Sequence, residues 1–294
     1  MPELPEVETV KRGLQELIPG KVVDDVSIDW LKSFQSAKQD VDEFLIGAKV
    51  SRVKRRAKVL IIELDTNYSL VIHLKMTGQL VFVGGANRWG AGHPNDSLIG
   101  ELPDKSTRVT IDFQDGSKLF FNDQRKFGWM RLLPTPEVQH IDFFKKVGPE
   151  PLSEYFTAKE FMQRVSRRFN STIKATILDQ TVIAGIGNIY ADEALFTAKV
   201  HPALRVRDVS KTKLKLLYNA IRGVLQISID KGGSSSRNYV NAEGKKGSYL
   251  DYAKVYKREG KPCVRCGQEI IKIRVAGRGT HICPREQKLP KGYK

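Results

Sequence analysis

The sequence predicts an α+β protein: a short amphipathic helix, a β-rich sandwich or barrel, a helical region and a small cysteine-centred tail. Three observations carry this. Val7, Val10, Leu14 and Leu17 recur at helical spacing over Glu3–Leu17, and Pro5 suits a first turn. Short β-branched and aromatic runs dominate from about Lys21 to Leu133. After Pro149 and Pro151 the apolar period becomes helical again.

Taken in order, VSRV, VLIIEL, LVIHL, QLVFV, RVTIDF, KLFFN and WMRLL read as strands, separated by turn residues such as Gln114-Asp115-Gly116. Gly84 to Asp104 is rich in Gly, Asn and Pro and is expected to be one long surface loop. Helices are expected near Ala158–Arg167, Ile173–Asp179, Asn188–Ala198 and Ser210–Lys231. Ser210 serves as N-cap of the last, and Gly232-Gly233 stop it. Ser234 to Ser248 reads as a polar loop. No internal repeat is found.

Charge and cysteines narrow the function. The 294 residues carry 49 Lys+Arg against 33 Asp+Glu, a formal net charge of +16. Such an excess concentrates polyanions, and nucleic acid is the commonest of these, because neutralised phosphates release counterions. The three cysteines lie between Cys263 and Cys283, which suits a metal site rather than a disulfide framework. No apolar run reaches the ~18 residues of a membrane span. The opening MPELPEVETV lacks the order of a signal peptide, so the cytoplasm is expected.

The opening also suggests chemistry. Removal of Met1 leaves Pro2 as a secondary amine, with carboxylates at Glu3 and Glu6 beside it. An α-amine titrates near pH 8, so a useful fraction is neutral and nucleophilic at neutral pH. Attack on a sugar C1′ displaces a base and leaves an iminium. Glu3 can move protons at the sugar ring. The plainer reading is an acidic helix start that complements the helix dipole.

Several motifs occur together in one order: PELPEVETV, RRAKVL with Lys58, HLKMTGQL, NDQRKFG, GPEPL, IKATILDQ, AGIGNIYADEALF, GGSS and a CxxC tail. In that order the whole chain resembles the formamidopyrimidine-DNA glycosylases, bacterial enzymes that repair 8-oxoguanine. The resemblance implies a catalytic helix with a two-layer β-sandwich lobe (1–135). A helix–two-turn–helix DNA-binding lobe with a lesion-capping loop (136–250) and a zinc-ribbon-like finger (251–294) follow. It implies a bifunctional glycosylase and AP lyase acting on oxidised purines in duplex DNA, as a monomer. Pro2, Glu3 and Lys58 match the family's catalytic residues. Met76, Arg125 and Phe127 match its intercalating triad, which fills the hole left by a flipped base. Asn188 and Arg278 match its phosphate contacts. Ser234, Ser235, Arg237 and Tyr239 fall in its lesion loop. The related endonuclease VIII branch, which prefers oxidised pyrimidines, usually begins PEGPE. A protein that binds damaged DNA without catalysis would show a broken Pro2, Glu3 or Lys58.

Two departures stand out. Cys263, Cys266 and Cys283 match three zinc ligands, but Glu286 occupies the place of the fourth cysteine. A carboxylate can bind zinc, though less softly than a thiolate. His281 is a second candidate, and a metal-free finger held by hairpin pairing is a third arrangement. Near Ser106 the family often has a DNA-contacting histidine; here Arg108 stands nearby to supply the charge.

Overall fold

The protein is described from a computed structural model over residues 1–93, 95–234, 249–290 and 293. It divides into two compact units, Met1–Lys145 with Ile229–Tyr249, and Lys146–Ser228 with Leu250–Lys294.

The first unit opens with α1 (Leu4–Leu17). Glu3 is its N-cap residue and Pro5 lies in its first turn. The unit continues through β1 (Val23–Ile28), α2 (Lys38–Phe44), β2 (Val50–Arg56), β3 (Val59–Leu64), β4 (Tyr68–His73), β5 (Gly78–Gly84) and β6 (Asn87–Gly92). It closes with β7 (Thr107–Phe113), β8 (Lys118–Asp123), β9 (Trp129–Pro134) and α3 (Asp142–Lys146). Two antiparallel sheets result, ordered β1-β7-β8-β5-β6 and β2-β3-β4-β9. Their inner faces share one core: Val53, Leu60, Ile62 and Ile72 from one sheet, Leu80, Ile111, Leu119 and Phe121 from the other. The helix adds Val7, Val10, Leu14 and, just past its end, Ile18, all fully buried. The period-2 strands and the period-3.6 helix thus aim their apolar residues at one place, which makes a sandwich with a helix laid into it.

The stretch 84–104 is not one long loop. It contains β6, which pairs with β5 from Gln79↔Gly92 to Gly84↔Asn87. The run NRWGAG lacks β-branched residues, so propensity argues against a strand. Tertiary packing wins. Trp89 is buried against Gly13 of α1, where a Cβ would stand 2.1 Å from the indole. Arg88 then ties down the following turn by donating to the carbonyls of Ser97, Leu98 and Gly100 at 3.2, 3.0 and 2.5 Å. The strand β1 and the helix α2 also lie inside the stretch read only as strands from Lys21 onward.

The second unit contains α4 (Ala158–Ser166), α5 (Ile173–Leu178), α6 (Asn188–Thr197) and most of both α7 (Lys211–Asp230) and α8 (Tyr249–Tyr252). It ends in the hairpin of β10 (Ile271–Val275) and β11 (Arg278–Ile282). Thr157 and Thr172 cap α4 and α5, accepting from the N–H of Glu160 and Ala175. Ser210 accepts from Lys213 N–H at 3.3 Å, and Gly232 and Gly233 leave the helix with φ of 75° and 85°, as the sequence predicts.

The fit of Trp89 to Gly13 is directly testable. Gly13→Ala should cost about 1–3 kcal/mol despite alanine's better helix propensity, because it overpacks the core. Denaturant unfolding should show this loss, and adding Trp89→Leu should recover most of it.

Candidate active site and metal centre

The first unit builds its site from three turns and the start of α1. Pro2 and Glu3 are buried there, Glu3 at 3 % exposure. Glu6, also buried, organises them: its Oε2 accepts the Glu3 N–H at 2.8 Å and its Oε1 accepts the Ser234 N–H at 2.7 Å. Gly233 lies so close that a Cβ there would meet Glu6 Oε1 at 3.1 Å, and its φ of +85° favours glycine independently.

Lys58 sits in the two-residue turn between β2 and β3, beside Ala57 with φ 53°, and is 5 % exposed. The turn is clamped to α1, since Arg55 donates to Glu8 Oε2 at 2.8 Å and to Ala57 O at 2.9 Å. The amino group at the chain start feels this surrounding. Burial lowers it from its ordinary 8.0; Glu3 and Glu6 push it up, and Lys58 and Arg125 push it down. Pro2, one residue further in, is the more buried of the two. Burial of this kind favours the neutral form of an amine.

Two further turns carry the exposed side chains. In the β4–β5 turn, burial holds the His73 imidazole down to about 3, with Lys75 and Lys58 adding to the effect. The ring is therefore neutral at pH 7, and its Nδ1 accepts the N–H of Lys75, a residue at φ 49°. Met76 follows, 37 % exposed. In the β8–β9 turn, Asp123 is the hub. It accepts from Thr77 Oγ1, from Arg125 N–H at 3.2 Å and from Gly128 N–H at 2.6 Å. Phe127 is 52 % exposed, with the Arg125 guanidinium 4.8 Å from its ring centre. Thr77 joins the two turns, so the structure brings Met76, Arg125 and Phe127 onto adjoining tips. Arg108 does not supply a surface charge. It is buried and spent internally on Asp29 Oδ2 (2.8 Å), Asp123 O (3.0 Å) and Lys105 O (2.6 Å).

The second unit brings Asn188 and the Arg278 turn together. Asn188 is the first residue of α6, after Gly187 as N-cap. Its Nδ2 donates to Gly279 O at 3.0 Å, while its buried Oδ1 has no hydrogen-bond partner among the described residues. Arg278 is exposed, next to the Ala276-Gly277 turn. Sequence reasoning missed what locks this arrangement. Lys174 Nζ, fully buried, donates to Asp192 Oδ1 at 2.6 Å and Thr280 Oγ1 at 2.7 Å. Asp192 Oδ2 accepts the His281 N–H at 2.9 Å. Next to Asp192, Glu193 accepts the N–H groups of Lys254, Val255 and Tyr256, although burial still pushes its carboxyl up. The available signal was the pair Asp192-Glu193 inside the otherwise apolar NIYADEALF: buried acids require partners.

The cysteines form a metal centre. The sulfurs of Cys263, Cys266 and Cys283 lie within 4.8 Å of one another, with Cys266 and Cys283 at 3.5 Å. Thiolates around tetrahedral zinc stand about 3.8 Å apart, so the three fit one zinc. Glu286 does not join them: it is paired with Lys199 at 2.9 Å and Arg265 at 3.7 Å. His281 is also occupied, by Asp192 at 3.3 Å and by edge contact with Tyr256 at 5.2 Å.

Residues 1–130 match the formamidopyrimidine-DNA glycosylase N-terminal domain, 147–240 the formamidopyrimidine-DNA glycosylase H2TH domain, and 260–285 the zinc finger found in FPG and IleRS. The three together define a zinc-finger DNA glycosylase. The chain belongs to the formamidopyrimidine-DNA glycosylase family. It is 40 % identical over 290 residues to the formamidopyrimidine-DNA glycosylase of Pelotomaculum thermopropionicum, covering 98 % of this chain and 100 % of the relative. It is 41 % identical over 286 residues to that of Halalkalibacterium halodurans, covering 96 % and 98 %. A point mutant of the Lactococcus lactis FPG, solved in complex with DNA containing Fapy-dG, superposes with a TM-score of 0.86 at 36 % identity, over 98 % of this chain and 100 % of that one. The Lactococcus lactis Fpg bound to abasic-site DNA gives 0.84 at 35 % identity, with the same coverage. Among the described residues, no helix is long and apolar enough to cross a membrane.

Ser234 is held at Glu6, whereas Ser235, Arg237 and Tyr239 lie outside the described residues. The buried Lys174–Asp192 pair yields a prediction. Lys174→Met strands a buried carboxylate and should cost about 3–5 kcal/mol in unfolding experiments. The Lys174→Met, Asp192→Leu double variant should recover part of that loss, and an unchanged single variant would show the pair to be idle.

Proposed function

We propose that this protein removes 8-oxoguanine and formamidopyrimidine bases from duplex DNA and then cuts the backbone, as a cytoplasmic, nucleoid-associated monomer. Pro2, freed by loss of Met1, attacks C1′ with its nitrogen lone pair. The C1′–N bond to the damaged base breaks, and Glu3 moves protons at the opened sugar. The resulting iminium carries β- and then δ-elimination, which releases both flanking phosphates and leaves a one-nucleotide gap. Lys58 holds positive charge beside the reacting sugar. Residues 1–135 supply this chemistry, 136–250 the helix–two-turn–helix grip and lesion loop, and 251–294 the finger.

The remaining residues hold the DNA. Met76 and Phe127 wedge into the vacated stack, and Arg125 pairs with the orphaned base. Asn188 and Arg278 contact phosphates. Ser234, Ser235, Arg237 and Tyr239 cap the extruded base. The structural zinc ties the two knuckles that carry the Arg278 hairpin, through Cys263, Cys266 and Cys283. The single observation that supports the mechanism most is the burial of Pro2 and Glu3 at the chain start, where desolvation lowers the Met1 amine against the pull of Glu3 and Glu6.

Borohydride treatment of the mature protein on an 8-oxoguanine duplex should trap a covalent adduct, and peptide mapping should place it on Pro2. An adduct on Lys58 would overturn the assignment, and faster excision of thymine glycol would move the substrate class to oxidised pyrimidines. The pH profile has a sign. Attack needs the neutral amine, and burial disfavours the charged form, so the acid limb of trapping should lie below the titration of a solvent-exposed proline amine. Lys58 lowers the amine, so Lys58→Met should move that limb to higher pH on an abasic-site duplex, where no base need leave. Arg278→Ala should weaken duplex binding across all sequences and reduce its salt slope by about 1, as loss of one phosphate contact requires.

A further inference from the structure

The two knuckles of the finger have the same backbone but not the same side chains. In the first, the N–H groups of Arg265 and Cys266 point at the Cys263 sulfur. In the second, those of Arg285 and Glu286 point at the Cys283 sulfur. Residue 286 therefore occupies the second knuckle as Cys266 occupies the first. The side chain then leaves. Lys199 Nζ lies 2.9 Å from Glu286 Oε2, and Arg265 approaches the same oxygen at 3.7 Å.

Both residues sit at the end of α6, Arg265 held there by its side chain and Lys199 by its backbone. Arg265 donates to Phe196 O at 2.9 Å and to Thr197 O at 3.2 Å, and its guanidinium lies 4.5 Å from the Phe196 ring centre. Lys199 follows the helix at φ 53°, with its N–H on Phe196 O at 3.0 Å. The second knuckle is pinned independently, because Gln287 donates to Val200 O at 2.9 Å and accepts the Cys283 N–H at 3.2 Å. Turning Glu286 toward the sulfurs would give up its approach to Lys199, a solvent-exposed side chain, and to Arg265, which is held on the end of α6. Among the described residues, no other His, Cys, Asp or Glu joins the three-sulfur group.

We infer that the finger holds its zinc through Cys263, Cys266 and Cys283 alone, with the fourth position filled by an exchangeable outside ligand. Glu286 is a strut to α6, not a ligand. The outside ligand is water at rest, and a small thiol displaces it, since a thiolate suits the metal better than oxygen does. A four-cysteine finger has no such position.

Cobalt tests this without reference to activity, because its visible spectrum reports the donor atoms. The metal is exchanged in the full chain, and the spectrum is followed while mercaptoethanol is added. The native protein should show the charge-transfer intensity of three thiolates, and its ligand-field bands should move as thiol is added. Glu286→Gln and Glu286→Ala should show the same starting spectrum and the same response. Glu286→Cys should begin with the fourth thiolate in place and ignore added thiol, leaving the native intensity at about three-quarters of it. A native spectrum indifferent to thiol would overturn the inference whatever the variants do. So would a starting spectrum that changes in both Glu286→Gln and Glu286→Ala, which would make Glu286 a ligand.

Discussion

One buried carboxylate receives backbone donors from residues far apart in the chain. Glu6 takes the N–H of Glu3 on one oxygen and that of Ser234 on the other. An acid in this position does two things at once. It satisfies an N–H that the start of a helix leaves without an internal partner, and it closes the first unit around the chain start. Neutral acceptors would make the same contacts with roughly half the strength, because charge-assisted bonds are the strong ones. The amine, Lys58 and the two exposed turns are useful only if this corner is rigid. Arg55 on Glu8 and Thr77 on Asp123 extend the same logic outward, each fixing a turn through a side chain rather than through sheet pairing.

The second unit has a counterpart in Lys174 and Asp192. Neither side chain reaches solvent, so the pair contributes direction more than net stability. It sets the register between the helices and the hairpin. That register brings Asn188 against the carbonyl of Gly279, next to Arg278. Asn188 Oδ1, buried without a partner among the described residues, is a cost accepted at the same place.

The seven strands read from the sequence were legible because they are short runs rich in β-branched and aromatic residues with turn residues at their ends. The strand β6 was not, since its glycines argue for a loop and only the space beside Gly13 explains Trp89. The acidic strand β1 was hidden for a related reason: only Val23 of it is buried. Among the site residues, periodicity alone would leave Lys58 a surface charge, and motif order was what singled it out. Lys174 went unnoticed because a lysine in a helix is normally solvated. The family resemblance put Glu286 at a metal-ligand position, and nothing in the sequence could reveal that Lys199, just past α6, and Arg265, docked on its end, lie closest to it.

The anchor at Glu6 has a last consequence. Gly233 and Tyr249 are joined by a backbone hydrogen bond of 3.1 Å, so the chain between them leaves and returns at one point. Closing such a span depends weakly on its length: a doubling costs only about 0.6 kcal/mol. Evolution can therefore lengthen, shorten or replace the segment as an interchangeable cassette, with the framework on either side left unaltered.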